Sequence, residues 1–164
     1  MTSAKASDHA RTPPREILVR SCVEIEATIA QVWAVLADHD YDVRWRTGVD
    51  RAVQVPAGPV VQGARVTEHS WFLGRCRVRE AIVGEVVPER RFTWTAGDGA
   101  MAGSRSVRLG RSDFVWVELQ TILRPSGPLQ RLIWALFASR LQRESDRSAQ
   151  RLEALFDGLL LESA

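Results

Sequence analysis

The chain has 164 residues, of which 45% are hydrophobic and 26% charged, and its formal charge at pH 7 is +2. This length and apolar content suit one globular domain with a single sizeable core. Because the net charge is small and the arginines are scattered among acids, a nucleic-acid-binding surface is not indicated, and no apolar run is long enough to span a membrane.

The first 15 residues, MTSAKASDHARTPPR, are polar and end just after the Pro13-Pro14 pair. They contain no apolar segment of the kind found in secretory signal peptides. We therefore predict a disordered leader over residues 1–15, one folded domain over residues 16–164, and a cytoplasmic protein. The strong preference for Arg over Lys indicates a genome rich in G and C, and we expect a bacterial source.

A strand followed by a short helix is predicted at the start of the domain. The segment from Glu16 to Ala27, EILVRSCVEIEA, alternates between apolar and polar residues, as a strand does. Thr28 and Gln31 then have the T-x-x-Q spacing of a capping box, which satisfies free backbone N–H groups at a helix start. Apolar residues recur at helical spacing after it, and Gly48 suits the left-handed C-cap of a second short helical turn.

The middle of the chain has the sequence pattern of short strands joined by turns. Candidate strands are DRAVQV, ARVTEHSWF, CRVREAIVGEVV, RFTWTA, SRSVRLG and DFVWVELQTILRP, and their connections are short enough for hairpins. An antiparallel sheet is therefore expected. The glycines of GDGAMAG do not match a dinucleotide or Walker loop, so we predict a hairpin turn there rather than a phosphate site.

The last predicted element is a long helix whose core-facing row of apolar residues is interrupted in its middle. Two apolar groups share one face, namely Trp134, Phe137 and Leu141, and then Leu152, Leu155 and Leu159. Between them the same face carries Glu144, Ser145 and Ser148. Two interpretations stay open. These polar residues face a space beneath the helix, or the core-facing row gradually turns around the helix and leaves them in solvent.

The first half of this helix has an unusually wide apolar face, because Leu132, Ile133 and Leu136 extend it. Loops at a cavity mouth, a dimer partner or a membrane surface are candidate covers for it. Loops are the expected cover.

The order of these elements indicates an α+β protein. Six segments between Glu16 and Leu161 add to this pattern, in the order IEATIAQVWAVLAD, VRWRTGVD, VVQGARV, EVVPERRFTW, SDFVWVEL and QRLEALFDG. Through these segments the chain resembles the START-related helix-grip (SRPBCC) superfamily, and within it the polyketide cyclase/dehydrase and lipid transport group. The resemblance implies a curved antiparallel sheet of about six or seven strands around a long C-terminal helix, with two short helices after the first strand.

The resemblance also implies a cavity between sheet and helix that binds a small hydrophobic or aromatic molecule. Such a protein is a polyketide cyclase- or dehydratase-like enzyme of secondary metabolism, a carrier of lipids or other hydrophobic ligands, or a protein-interaction module, and whether it is catalytic stays open. We expect a monomer or homodimer without stable membrane insertion and without nucleic acid. Cys22 and Cys76 are isolated from each other and from any His pair, so no metal site is predicted, and both are expected to be small buried residues. No cofactor is predicted.

Candidate site residues are large rings, apolar side chains and carboxylates able to line a cavity. The ligand-binding candidates are Trp45, Val66, Glu68, Phe92, Trp94, Trp116, Glu118, Trp134, Phe137, Leu141 and Glu144. Among them Glu68, Glu118 and Glu144 are the candidate proton-transfer groups, provided that burial raises the pKa.

Which face of the last strand points inward is left open by the sequence. SDFVWV resembles the T-x-V-x-W stretch of the family, and this resemblance turns Phe114 and Trp116 inward and aims Glu118 at the cavity. Hydrophobicity favours the opposite face, which carries Val115, Val117 and Leu119.

Overall fold

The structure, a computed structural model, describes residues 16–72, 74–111 and 113–162, except for the side chains of Phe72 and residues 159–162. The predicted leader and the side chain of Leu159 lie outside the described part. The elements in chain order are β1 (Ile17–Glu26), α1 (Ile29–Leu36), a 3-10 turn (His39–Tyr41), α2 (Asp42–Trp45), β2 (Val49–Val55), β3 (Arg65–Phe72), β4 (Arg75–Val87), β5 (Arg91–Ala96), β6 (Met101–Leu109), β7 (Phe114–Leu123) and α3 (Pro128–Glu162).

In the described part of the chain, seven strands form one antiparallel sheet in the order β1-β7-β6-β5-β4-β3-β2. Strands β2 to β7 follow one another as hairpins, and β1 pairs with β7. The sheet curls into a half-barrel, and α3 packs along its β1 side. The predicted α+β helix-grip fold is therefore confirmed, with seven strands and two short helices after the first of them.

The start of α1 confirms the predicted capping box. The Thr28 hydroxyl accepts a hydrogen bond from the backbone N–H of Gln31 (3.3 Å), and the Gln31 side-chain oxygen accepts one from the Thr28 N–H (3.0 Å). These bonds satisfy donors that have no partner inside a helix. The helix then buries its apolar face, which comprises Val32, Val35 and Leu36.

The prediction that Gly48 caps the second helical turn was wrong. Helix α2 ends at Trp45, and the next residue, Arg46, is already extended. Gly48 does have a left-handed φ of 78°, but its carbonyl accepts from the N–H of Trp71 on β3 (2.8 Å). A left-handed residue is needed here to turn the chain into β2, and only glycine adopts that conformation without strain.

Burial decides the open question about β7. Val115, Val117 and Leu119 are buried on the concave face, where they join a core cluster that includes Leu152 and Phe156 of α3. The orientation taken from the family resemblance was wrong, because burial of three aliphatic side chains against the helix dominates. The convex face carries Phe114, Trp116 and Glu118.

The convex face also holds both cysteines, which are exposed free thiols rather than the small buried residues expected. Cys22 alternates with the buried residues of β1, so its side chain points away from the core.

Helix α3 is tied to the edge of the sheet by side chains in its middle. The Gln142 amide donates to the backbone carbonyl of Arg20 (2.6 Å) and accepts from its N–H (3.2 Å), so it pairs with the free edge of β1. This bond and the apolar contacts of the C-terminal half position α3 over the curved sheet. Within the described part of the chain, no helix has the length and hydrophobicity required to cross a bilayer.

Candidate ligand-binding cavity

A cavity of about 480 Å³ lies between the concave face of the sheet and α3. This volume is within the range of pockets that hold small organic ligands. Its walls come from the 3-10 turn, α2, strands of the sheet and the first half of α3, because the sheet curves away from the helix there.

Eight of the eleven candidate ligand-binding residues line this cavity, and the other three do not. The lining residues are Trp45, Val66, Glu68, Trp94, Trp134, Phe137, Leu141 and Glu144. Phe92 is on the same face of the sheet but is fully buried, with its ring edge-on to those of Trp33 and His39. On the convex face, Trp116 stacks against Arg108 and Glu118 pairs with Arg20 at 2.8 Å.

Aromatic rings form two of the cavity walls. Trp94 projects from β5 and lies over Gly103 on the neighbouring strand, so closely that a Cβ on that glycine would be 2.5 Å from the nearest ring atom. Trp134 and Phe137 project from α3. A flat apolar molecule between these walls would meet ring faces and edges, which is a favourable environment for aromatic groups.

The polar gap in the core-facing row of α3 faces the cavity rather than bulk solvent. Glu144, Ser145 and Ser148 all line it. The hydroxyl of Ser145 lies 2.8 Å from that of Ser21 on β1, and the hydroxyl of Ser148 accepts from the N–H of Thr47 (2.9 Å). The gap therefore has two effects: it anchors the helix to β1 and to the segment after α2, and it gives the cavity a polar rim.

A buried ion network was not anticipated from the sequence. The carboxylate of Asp42, which is fully buried, accepts two hydrogen bonds from the guanidinium of Arg105 (2.7 and 2.6 Å). It also lies 2.9 Å from Nδ1 of His39 and 3.2 Å from Nη1 of Arg46. Burial alone would raise the pKa of Asp42, but these neighbours outweigh it and hold the pKa well below its usual range.

The network extends to Glu68, one of the candidate proton-transfer groups. Arg46 donates a short hydrogen bond to this carboxylate, and Arg79 lies 3.8 Å from it. Burial favours a raised pKa, but the two guanidinium groups prevail and the pKa of Glu68 is lowered. The condition for a proton-transfer group, a pKa raised by burial, is therefore not met at Glu68, because of two arginine partners that the sequence did not indicate.

His39 completes the network and is neutral at pH 7. Burial and then the nearby Arg105 lower its pKa, although Asp42 acts in the opposite direction. With Nδ1 bonded to the carboxylate, Nε2 is the acceptor nitrogen, and it has no hydrogen-bond partner among the described residues. Among those residues, no group of three His, Cys, Asp or Glu side chains is placed to hold a metal ion.

We predict that the free energy of unfolding decreases as the pH falls from about 7 to 4. In the unfolded chain His39, Glu68 and Asp42 regain ordinary pKa values of 6.5, 4.5 and 3.8. Since all three are lower in the folded protein, the unfolded state binds more protons in this window and stability rises with pH. Urea denaturation at several pH values measures the effect, and equal stability at pH 7 and pH 4 would contradict it.

Residues 16–157 match the family model described as polyketide cyclase / dehydrase and lipid transport. A protein from Thermus thermophilus has the same fold, with 15% identity and a TM-score of 0.70 over 87% of this chain and 98% of its own. The Zhui aromatase/cyclase from Streptomyces has 16% identity and a TM-score of 0.69, over 87% and 94%. A START superfamily protein from Mycobacterium smegmatis has 12% identity and a TM-score of 0.66, over 87% and 98%. No protein with a curated description matches the sequence.

Proposed function

Because the chain belongs to the polyketide cyclase / dehydrase and lipid transport family, we propose that it binds a small, flat, mainly apolar molecule that carries an acidic group. The observation that supports this most directly is the charge balance of the network beside the cavity. Arg46, Arg79 and Arg105 meet two carboxylates, those of Asp42 and Glu68. The network therefore carries one surplus positive charge on the cavity side, and an anion or water in the cavity compensates it.

A carboxylate or phenolate on the ligand would supply the missing negative charge. Arg46 and Arg79 line the cavity and are about a quarter and a third exposed, so an incoming anion has access to both. Guanidinium groups bind carboxylates through paired, charge-assisted hydrogen bonds. The acidic end of the ligand therefore lies beside Glu68, and its apolar body lies among the aromatic rings.

The Zhui protein is named an aromatase/cyclase, and the family description includes polyketide cyclases and dehydrases. Both support an aromatic or polyketide-like ligand, since phenols and carboxylic acids are common in such molecules.

A second candidate function is proton-transfer catalysis on this ligand. It is favoured by His39, a neutral imidazole that lines the cavity and is held by a carboxylate, as general bases are.

The proposal predicts that the protein prefers an acid to its neutral analogue. 2-Naphthoic acid and 2-naphthamide have nearly the same shape, and calorimetry at pH 7 compares their affinities. We expect the acid to bind more tightly, and Arg46→Met to reduce the affinity for the acid by about tenfold or more, because a charge-assisted hydrogen bond is lost.

Arg65→Met is the matched control, since Arg65 is exposed and does not line the cavity. Equal affinity for acid and amide, or an equal loss in both variants, would contradict the acidic-ligand proposal.

Any molecule that co-purifies with the protein is incubated with it to test for a reaction. A change in its ultraviolet spectrum or chromatographic retention on incubation with the protein, with or without a change in mass, and lost in His39→Gln, would support catalysis, because proton transfer yields an isomer; an unchanged molecule would support a carrier.

A further inference from the structure

The outward face of α3 carries four large apolar side chains that are exposed in the first half of the helix. Leu129, Leu132, Ile133 and Leu136 are 70%, 58%, 42% and 69% exposed. Their spacing of three and four residues places them on one stripe. They are distinct from Trp134, Phe137 and Leu141, which lie on another face of the same helix and line the cavity. We call these four residues the apolar stripe.

The apolar stripe continues toward the C-terminus as a row of arginines. Arg140, Arg143 and Arg147 follow Leu136 at spacings of four, three and four residues, and all three are exposed. Arg140 bonds to Glu144 at 3.0 Å. No Asp or Glu occurs in the sequence between Glu118 and Glu144, so the apolar stripe has only basic residues as charged neighbours along the helix. One surface of α3 is thus apolar at one end and basic at the other.

We propose that this surface docks on an anionic lipid bilayer, with the apolar stripe among the acyl chains and the arginines at the headgroup phosphates. An amphipathic helix with leucines on one part of its surface and arginines beside them binds membrane interfaces in this way. The arginines reach the phosphates through their aliphatic stems while the leucines remain buried. The association is peripheral, since α3 lies on the bilayer surface and does not cross it.

A lipid surface fits better than a second copy of the chain. A two-fold contact between copies places identical surfaces against each other, and this surface has no acidic residue before Glu144 to pair with the partner's arginines. A bilayer with anionic headgroups satisfies both parts of the surface at once, through burial of the leucines and attraction of the arginines.

The docked position has a consequence for the cavity. Ile133 belongs to the apolar stripe and also lines the cavity, so the bilayer would lie against the cavity wall formed by α3. An apolar ligand would then exchange between the acyl chains and the cavity without crossing water. The docking proposal does not depend on the acidic-ligand proposal, because vesicle binding is measured without any cavity ligand.

The test is co-sedimentation of the full chain with vesicles of phosphatidylcholine alone and of phosphatidylcholine mixed with phosphatidylglycerol. We expect binding to the mixed vesicles that weakens at high salt, and little binding to phosphatidylcholine alone. Arg143→Gln with Arg147→Gln should weaken binding to mixed vesicles roughly 25-fold, since each basic residue near an anionic surface contributes about fivefold. Leu132→Gln with Leu136→Gln should weaken it at least about tenfold.

The matched control is Leu18→Gln with Ile82→Gln, because these two side chains are also exposed, at 54% and 48%, but alternate with the buried residues of β1 and β4 and so lie on the convex face of the sheet. This variant should bind vesicles like the unmodified chain. Circular dichroism establishes that all variants are folded. Equal binding to both vesicle types, no binding to either, or equal losses in the stripe and control variants would overturn the proposal. A lower molecular mass in solution for the Leu132/Leu136 variant would overturn it in favour of a second copy.

Discussion

Asp42→Ala is expected to lower the free energy of unfolding by about 3–5 kcal/mol, the cost of removing one partner from a buried ion pair. The Asp42 carboxylate is fully buried and accepts two hydrogen bonds from Arg105. Without it the guanidinium, only 5% exposed, retains its bond to the Leu36 carbonyl (2.9 Å) but loses its compensating charge. Urea denaturation at pH 7 measures the loss.

Asp40→Ala is the control for this prediction, because Asp40 is exposed in the adjacent 3-10 turn. It should change stability by no more than about 0.5 kcal/mol. The double variant Asp42→Ala with Arg105→Leu removes both charges and should be less destabilised than the sum of the two single variants. A loss below about 1 kcal/mol for Asp42→Ala, or strict additivity in the double variant, would show that the pair is not coupled as the geometry implies.

Gly103→Val is expected to destabilise the protein by about 3 kcal/mol and to alter the cavity. A Cβ at this position would clash with the backbone carbonyl of Gln120 on β7 and lie 2.5 Å from the nearest atom of the Trp94 ring. The carbonyl is part of a strand adjacent to β6, so the ring is the group with freedom to move. We therefore expect a change in tryptophan fluorescence and a loss of affinity for 2-naphthoic acid, together with the lower urea midpoint.

Gly127→Ala provides the comparison, since a Cβ there meets no atom within 4 Å and the backbone needs no left-handed conformation. It should leave stability, fluorescence and affinity unchanged. If Gly103→Val were as stable as the unmodified protein with the same fluorescence, the close packing of Trp94 over the strand would not contribute to the shape of the cavity.

The fold was predictable because it depends on local signals. The Thr28–Gln31 capping box, strand alternation and short turns each identify an element from a few neighbouring residues, and short connections then favour antiparallel pairing. The aromatic wall was predictable for the same reason, because helical spacing places Trp134 and Phe137 on one face of α3. Strand parity likewise places Trp94 on the same face of β5 as Phe92.

The ion network was missed because it joins residues far apart in the sequence. Arg105 and Asp42 are separated by 63 positions, and no local pattern links them. One signal was available: Arg105 has the same strand parity as Val107, so it stands on a face that is otherwise apolar. A charged residue at such a position requires a buried partner, so a carboxylate is expected on the helices that precede the strand.

The orientation of β7 shows the opposite kind of error. The short resemblance around Trp116 favoured the wrong face, while the aliphatic alternation of Val115, Val117 and Leu119 indicated the right one. Burial of a continuous aliphatic row against Leu152 and Phe156 is a property of the whole fold. A motif of a few residues contains no information about that packing, so the periodicity was the more reliable guide.

Helix α3 is one continuous element, yet its two halves meet different constraints. From Gln142 onward it is fixed to β1, to the segment after α2 and to the core. Before that point its side chains face the cavity or the exterior. Substitutions in the first half can therefore alter the cavity wall and the exterior of the helix while the folding anchor is retained. The cavity can change its shape and lining in this way without a change of fold.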